Sequence, residues 1–89
     1  MWCMNIDTAA VVAEYARIVR ANDSADIVLN CLADDSPEGD RYDIALEVVD
    51  TACDLFELDY VALSDAEKDD LADKMFDALP QVEAALRSA

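Results

Sequence analysis

The chain has 89 residues, of which 55% are hydrophobic, and its 21 acidic and 6 basic side chains give a formal charge of −15. A chain of this length supports one core, and its apolar content excludes a disordered acidic tail, because it can bury enough apolar surface to fold. The charge excludes direct binding to nucleic acid or to an anionic membrane, since both are repelled at long range.

The N-terminal part of the chain predicts a first helix. Asp7 or Thr8 can cap it, and it runs to about Ala21 with apolar residues at helical spacing. The predicted inward face consists of Val11, Val12, Tyr15, Ile18 and Val19. Trp2 precedes this helix, and it either folds onto the core or is exposed for a partner.

A short second helix is predicted over residues 25–32, after a cluster of cap-forming polar residues. Its predicted inward residues are Ile27, Val28, Cys31 and Leu32. Because β-branched residues are frequent here and the run is short, a buried strand remains an alternative.

Residues 34–40, DDSPEGD, contain the single Gly and one of the two Pro residues, which predicts a loop. Counted from Asp34, their spacing is similar to that of a calcium-binding loop. The twelfth place, however, is Ala45, where such a loop needs a bidentate Glu. We therefore expect a solvated acidic loop and no metal site, with a calcium-responsive module as the minor alternative.

The central stretch, residues 40–58, predicts a long helix with an acidic stripe. Five carboxylates spaced 4, 3, 4 and 3 residues apart fall within an arc of about 80° at roughly 100° per residue. We call these residues the acidic ridge: Asp43, Glu47, Asp50, Asp54 and Glu57. Each neighbouring pair of like charges costs about 0.2–0.5 kcal/mol in helix stability, and only Arg41 stands within one turn as a base. This uncompensated repulsion indicates a surface that is kept for a partner.

The opposite arc of the same helix is apolar over about 200°, which predicts burial on most of its circumference. The residues expected to be buried are Ile44, Ala45, Leu46, Val48, Val49, Ala52, Cys53, Leu55 and Phe56.

The last third of the chain predicts two more helices. Ser64 and Glu67 form a capping box, so a helix begins at Asp65 and runs to about Leu79. It carries a second set of acidic candidates for partner binding, which are Asp65, Asp69 and Asp73. Pro80 then starts a short helix over residues 81–87. Together these elements predict an all-α fold, a compact bundle of four to five short helices in one domain.

Catalytic chemistry has little support in this composition. The chain has no His, and its single Gly cannot form a phosphate-binding loop, so we expect no enzyme and no cofactor. The three cysteines are too far apart for a zinc or redox motif, and Cys31 and Cys53 are expected to pack as reduced core thiols. Without a signal peptide or an apolar run of spanning length, a cytoplasmic protein is expected.

The acidic ridge has a charge spacing similar to that of nucleic acid. Its carboxylates lie about 4.5–6 Å apart along the helix axis, against about 3.4 Å per phosphate in one strand. In size, charge and helical pattern, the whole chain resembles small phage-encoded inhibitors of host defence, the anti-CRISPR and anti-restriction proteins.

That resemblance implies a protein in the host cytoplasm that binds a defence complex and blocks DNA recognition, recruitment or cleavage. We therefore expect a non-enzymatic inhibitor that presents its acidic surface to a basic, nucleic-acid-binding groove, as a DNA mimic would. The alternative is a small helical adaptor or regulatory subunit that dimerises, or binds a partner helix, through Trp2, Leu46 and Phe56. Binding by the inhibitor should weaken steeply with salt, whereas binding by the adaptor should not.

Overall fold

Residues 6–88, which the computed structural model describes, contain five α-helices and no strand. The predicted all-α bundle is therefore confirmed, and the short second element is a helix. Trp2 and Cys3 lie outside the described residues. A 3-10 turn, Tyr60–Ala62, lies between the third and fourth helices. The helices are α1 (Thr8–Ala21), α2 (Ala25–Cys31), α3 (Glu38–Leu55), α4 (Asp65–Asp77) and α5 (Leu79–Arg87).

Two helix starts are fixed by side chains. Asp7 caps α1, because its Oδ1 accepts the backbone N–H of Ala10 at 3.3 Å. The capping box at α4 is confirmed: the Glu67 N–H donates to Ser64 Oγ at 3.2 Å, and the Ser64 N–H donates to Glu67 Oε1 at 2.8 Å. Both caps satisfy backbone donors that the first turn of a helix leaves without a partner.

Helix α3 is the centre of the bundle and packs against each of the other four helices. Small and β-branched residues on its inner face let these neighbours approach closely. The fully enclosed residues at this centre are Val11 of α1, Ala45, Val48 and Ala52 of α3, Leu71 and Met75 of α4, and Val82 of α5. The core thus covers the apolar side of α3 and leaves the side that carries the acidic ridge open to solvent.

The inward face predicted for α2 is partly wrong. Ile27 is 66% exposed, whereas Val28 and Leu32 are buried and Ala25 and Leu29 are partly buried against the core. These four positions follow one helical stripe, and Ile27 lies more than 90° away from its centre. In a helix of only two turns, the sequence has too few apolar residues to show which side of the helix faces the core.

Helix α3 begins two residues earlier than predicted and ends three residues earlier, at Leu55. Its end is a left-handed turn: Glu57 has φ 55°, and the Leu58 N–H donates to the Cys53 carbonyl at 2.8 Å. This bond is that of a Schellman motif, in which the left-handed position is usually Gly. Glu57 therefore leaves the helical line of the acidic ridge.

The expected burial of the opposite arc of α3 is also wrong at three positions. Leu46, Leu55 and Phe56 are exposed, at 36%, 41% and 37% respectively. Leu46 borders the ridge on the solvent side of α3. Leu55 and Phe56 lie at the end of α3, where the chain turns away at Glu57.

The boundary between the last two helices also differs from the prediction. Helix α4 ends at Asp77, and Leu79 already belongs to α5, with Pro80 in its first turn. The Arg20 guanidinium of α1 donates to the carbonyls of Ala85 and Ser88 at the end of α5, which ties the C-terminal helix to α1.

Candidate interaction surface on helix α3

The acidic ridge is exposed along its whole length. Asp43, Glu47, Asp50 and Asp54 lie on the solvent side of α3, and Glu57 is exposed in the turn that follows. Four ridge carboxylates therefore share one helical stripe, and the fifth lies past its end. The first two turns of α3 also carry Arg41, the only base that the sequence places beside the ridge.

Arg41 points away from the ridge. Its guanidinium donates to the Ala33 carbonyl at 3.1 Å and lies 3.6 Å from the Asp34 carboxylate, both in the loop before α3. Its Nε–H is buried without an acceptor among the described residues. The side chain is thus committed to holding this loop, and it leaves the ridge charge uncompensated.

Other bases are also engaged elsewhere. Arg17 pairs with Glu14 at 2.7 Å, Arg87 pairs with Glu83 at 2.9 Å, and Arg20 binds the end of α5. Within residues 6–88, the carboxylates of Asp43, Asp50, Asp54 and Glu57 make neither a hydrogen bond nor an ion pair. These four carboxylates, which have no base at helical spacing in the sequence, therefore also have no basic partner from elsewhere in residues 6–88.

Glu47 differs from the other ridge residues because it has a partner inside the protein. The hydroxyl of Tyr15, a residue of α1 that is only 3% exposed, donates to Glu47 Oε1 at 2.9 Å. Burial, and then this carboxylate, raise the pKa of Tyr15 far above its usual value. Glu47 thus joins α1 to α3. A tyrosine among aliphatic residues on a buried face was the sequence signal for such a bond, since a buried phenol needs a hydrogen-bond partner.

The acidic candidates of α4 are exposed as well. Asp65, Asp69 and Asp73 follow one another at intervals of four residues on the solvent side of the helix. Two bases of the same helix, Lys68 and Lys74, are partly buried, and Lys68 Nζ lies 5.2 Å from the centre of the Tyr60 ring. Charge on α4 is therefore mixed, whereas the ridge on α3 carries acids alone.

The two cysteines within residues 6–88 pack as small apolar side chains. Cys53 is buried and Cys31 is partly buried, and both are free thiols. Burial, followed by neighbouring carboxylates such as Asp50 beside Cys53 and Asp40 beside Cys31, raises the pKa of each thiol. Both groups are therefore protonated at neutral pH, as expected for thiols that pack as small apolar side chains.

Neither a metal cluster nor a membrane span is found in the described part of the chain. Residues 6–88 bring no three His, Cys, Asp or Glu side chains together in a way that suits a metal ion. In the loop with calcium-like spacing, Glu38 and Asp40 already belong to the first turn of α3, and the Ser36 hydroxyl donates to the Asn30 carbonyl. None of the helices in this range is both long enough and apolar enough to cross a bilayer.

One cleft of about 300 Å³ lies where α2, α4 and α5 meet the start of α3. Its lining combines the apolar residues Leu32, Phe76 and Leu79 with Arg41 and three carboxylates, which are Asp34, Asp77 and Glu83. Two of its carboxylates are paired with bases, since Asp34 lies 3.6 Å from Arg41 and Glu83 lies 2.9 Å from Arg87.

Comparisons with protein-family models, with curated proteins and with solved structures found no match to this chain.

Proposed function

We propose that this protein is a non-enzymatic inhibitor that docks its acidic ridge into a basic, nucleic-acid-binding groove of a host defence complex. It would act in the host cytoplasm in the manner of the anti-CRISPR and anti-restriction proteins, which it resembles in size and charge. The target is a protein surface rich in Lys and Arg, and the ridge takes the place of the phosphates of a nucleic acid strand.

One observation carries the proposal. Asp43, Asp50 and Asp54 lie on one exposed stripe of a helix that is rigidly packed on its other sides, and none has a basic partner within residues 6–88. A rigid array of carboxylates binds a cationic groove without the entropy cost of ordering a flexible tail. The overall charge of −15 also speeds the approach to such a groove at low salt.

The test begins with tagged protein that captures its target from host lysate, followed by competition on the purified complex. The inhibitor should displace a labelled duplex from that complex, and its apparent affinity should fall steeply between about 50 and 200 mM salt. The decisive variant reverses the ridge at Asp43, Asp50 and Asp54 to Lys. Glu47 is left in place, because its bond to Tyr15 is part of the fold.

The matched control reverses three exposed acids outside α3, namely Asp35, Asp70 and Asp77. Each reversal adds two charges, so both triple variants change the formal charge from −15 to −9. If the ridge is the docking surface, only the ridge variant loses competition with DNA. If both variants compete equally weakly with DNA, the effect is due to net charge and not to the ridge. If the ridge variant competes as well as the wild type, the proposal is refuted.

A second candidate function, an adaptor that binds through apolar residues, is favoured by the exposure of Leu46 and Phe56. In that case the captured partner should resist high salt, and Leu46→Asp should release it. Recovery of the protein's own untagged copies as the only partner would indicate a homodimer instead.

A further inference from the structure

The connection between α3 and α4 turns three large apolar side chains outward. Leu55, Phe56 and Val61 are 41%, 37% and 83% exposed. The same segment turns three others inward, since Leu58, Tyr60 and Leu63 are partly buried against the core. The segment therefore already has apolar contacts that hold it to the bundle, while the outward residues keep a large part of their apolar surface open to solvent.

Three exposed carboxylates lie close to these outward residues along the chain. Asp54, Glu57 and Asp59 are exposed, and they alternate along the chain with the apolar positions. We call the six residues 54–57, 59 and 61 the α3–α4 corner. The nearest base on the following helix, Lys68, lies over the Tyr60 ring. The corner thus brings three exposed apolar side chains and three exposed carboxylates together within eight residues of the chain. A protein–protein contact in which a few apolar residues supply most of the affinity has this mixture of side chains.

We propose that the α3–α4 corner is the apolar anchor of the docking surface, and that it inserts into an apolar pocket flanked by Lys or Arg on the partner protein. This inference rests on the proposed function, because Asp54 and Glu57 belong to both the corner and the acidic ridge. It adds that the partner is recognised by shape and apolar contact as well as by charge.

Charge complementarity selects this kind of partner over the other surfaces that cover apolar patches. A second copy of the chain would bring the same three carboxylates to the contact, so self-association at the corner places like charges together. An anionic lipid surface is repelled for the same reason. A basic rim around an apolar pocket satisfies both parts of the corner at once.

Two synthetic peptides of equal length and charge serve as probes. One is an amphipathic helix of Lys and Leu, and the other has Gln in place of each Leu. Binding of each labelled peptide is measured by fluorescence anisotropy at low salt, and sedimentation velocity of the protein alone reports self-association. The wild-type protein should bind the Lys/Leu peptide about five- to tenfold more tightly than the Lys/Gln peptide.

The variant that tests the corner is Val61→Ser, alone and with Phe56→Ser. Val61 is 83% exposed, so its replacement leaves the core intact, and thermal unfolding checks the double variant. Both variants should lose the preference for the Lys/Leu peptide while binding the Lys/Gln peptide as before. Ile27→Ser is the matched control, because Ile27 is an exposed apolar residue on α2, outside the corner, and its loss should change neither affinity.

The outcomes separate the two proposals. An unchanged peptide preference in Val61→Ser and in the double variant overturns the corner as an anchor, even where ridge reversal still abolishes binding to the Lys/Gln peptide. Loss of the preference in Ile27→Ser as well would overturn it too, since any exposed apolar residue would then suffice. A wild-type dimer that Val61→Ser dissociates would make the occupant a second copy and refute a basic partner. The proposed function fails by a different result: reversing Asp43, Asp50 and Asp54 to Lys would leave the affinity for the Lys/Gln peptide unchanged.

Discussion

Glu47 is expected to stabilise the fold, unlike its neighbours on the acidic ridge. Its Oε1 accepts the hydroxyl of Tyr15 at 2.9 Å, and Tyr15 is only 3% exposed. Glu47→Ala would leave that hydroxyl without its partner. Removing one partner of a buried hydrogen bond costs about 1–3 kcal/mol, because the other group stays desolvated and unsatisfied.

Asp50→Ala is a close control for this change. Glu47 and Asp50 each have two ridge neighbours three or four residues away, so either replacement relieves two like-charge pairs, about 0.4–1 kcal/mol in total. Asp50 makes no hydrogen bond within residues 6–88. We therefore expect Asp50→Ala to raise the free energy of unfolding slightly, and Glu47→Ala to lie about 1–3 kcal/mol below it.

The assay is urea unfolding followed by circular dichroism, with all variants measured at neutral pH in one buffer. In a Tyr15→Phe background the two replacements should become equivalent, since the hydroxyl that separates them is gone. The role assigned to the Tyr15–Glu47 hydrogen bond would be refuted if Glu47→Ala and Asp50→Ala, each in the wild-type background, had free energies of unfolding within about 0.5 kcal/mol of one another.

Three further predictions concern stability. Glu57→Gly should raise the free energy of unfolding by about 0.5–1 kcal/mol in urea, because φ 55° is costly for Glu and free for Gly; a loss of stability would contradict this reading of the turn. Because the pKa of Tyr15 is raised in the folded state, the unfolded chain releases this proton first above about pH 10, so the wild type should lose stability with rising pH there. Tyr15→Phe should lack this loss, which urea unfolding at about pH 8 and pH 11 would detect, and equal losses in both proteins would assign it to other groups. Ser64→Ala should cost about 1 kcal/mol and lower the melting temperature, since it removes the acceptor of the Glu67 N–H; an unchanged melting temperature would show that water replaces the cap.

Local rules predicted much of this fold. The capping box at Ser64 and the Asp7 cap depend on residues within one turn, and both are found as hydrogen bonds. The long apolar stripes of α1 and α3 also predicted helices, because a periodic pattern over many residues averages out single exceptions. In α2, with two turns, no such averaging was possible, and the orientation of Ile27 was predicted wrongly.

The candidate surface was predictable in part. Exposure of Asp43, Asp50 and Asp54 follows from helical spacing alone, since charged residues on one stripe face water. The end of α3 was not predictable, because Glu57 takes a left-handed conformation that usually indicates Gly. Exposure of Phe56 follows from that early turn, and apolar character by itself does not show whether a neighbouring helix reaches a given position.

The sequence by itself determined the helical class, the principal caps, the charge and the stripe of acids on the central helix, because these depend on residue type and on spacing within a few turns. Tertiary structure decided which side chains meet and which are left uncovered. It joined Tyr15 to Glu47, bound Arg41 to the loop before α3, and left Phe56 and Val61 exposed at the α3–α4 corner. Those outcomes depend on how α1 and α4 lie against α3, and residues distant in the chain set that arrangement.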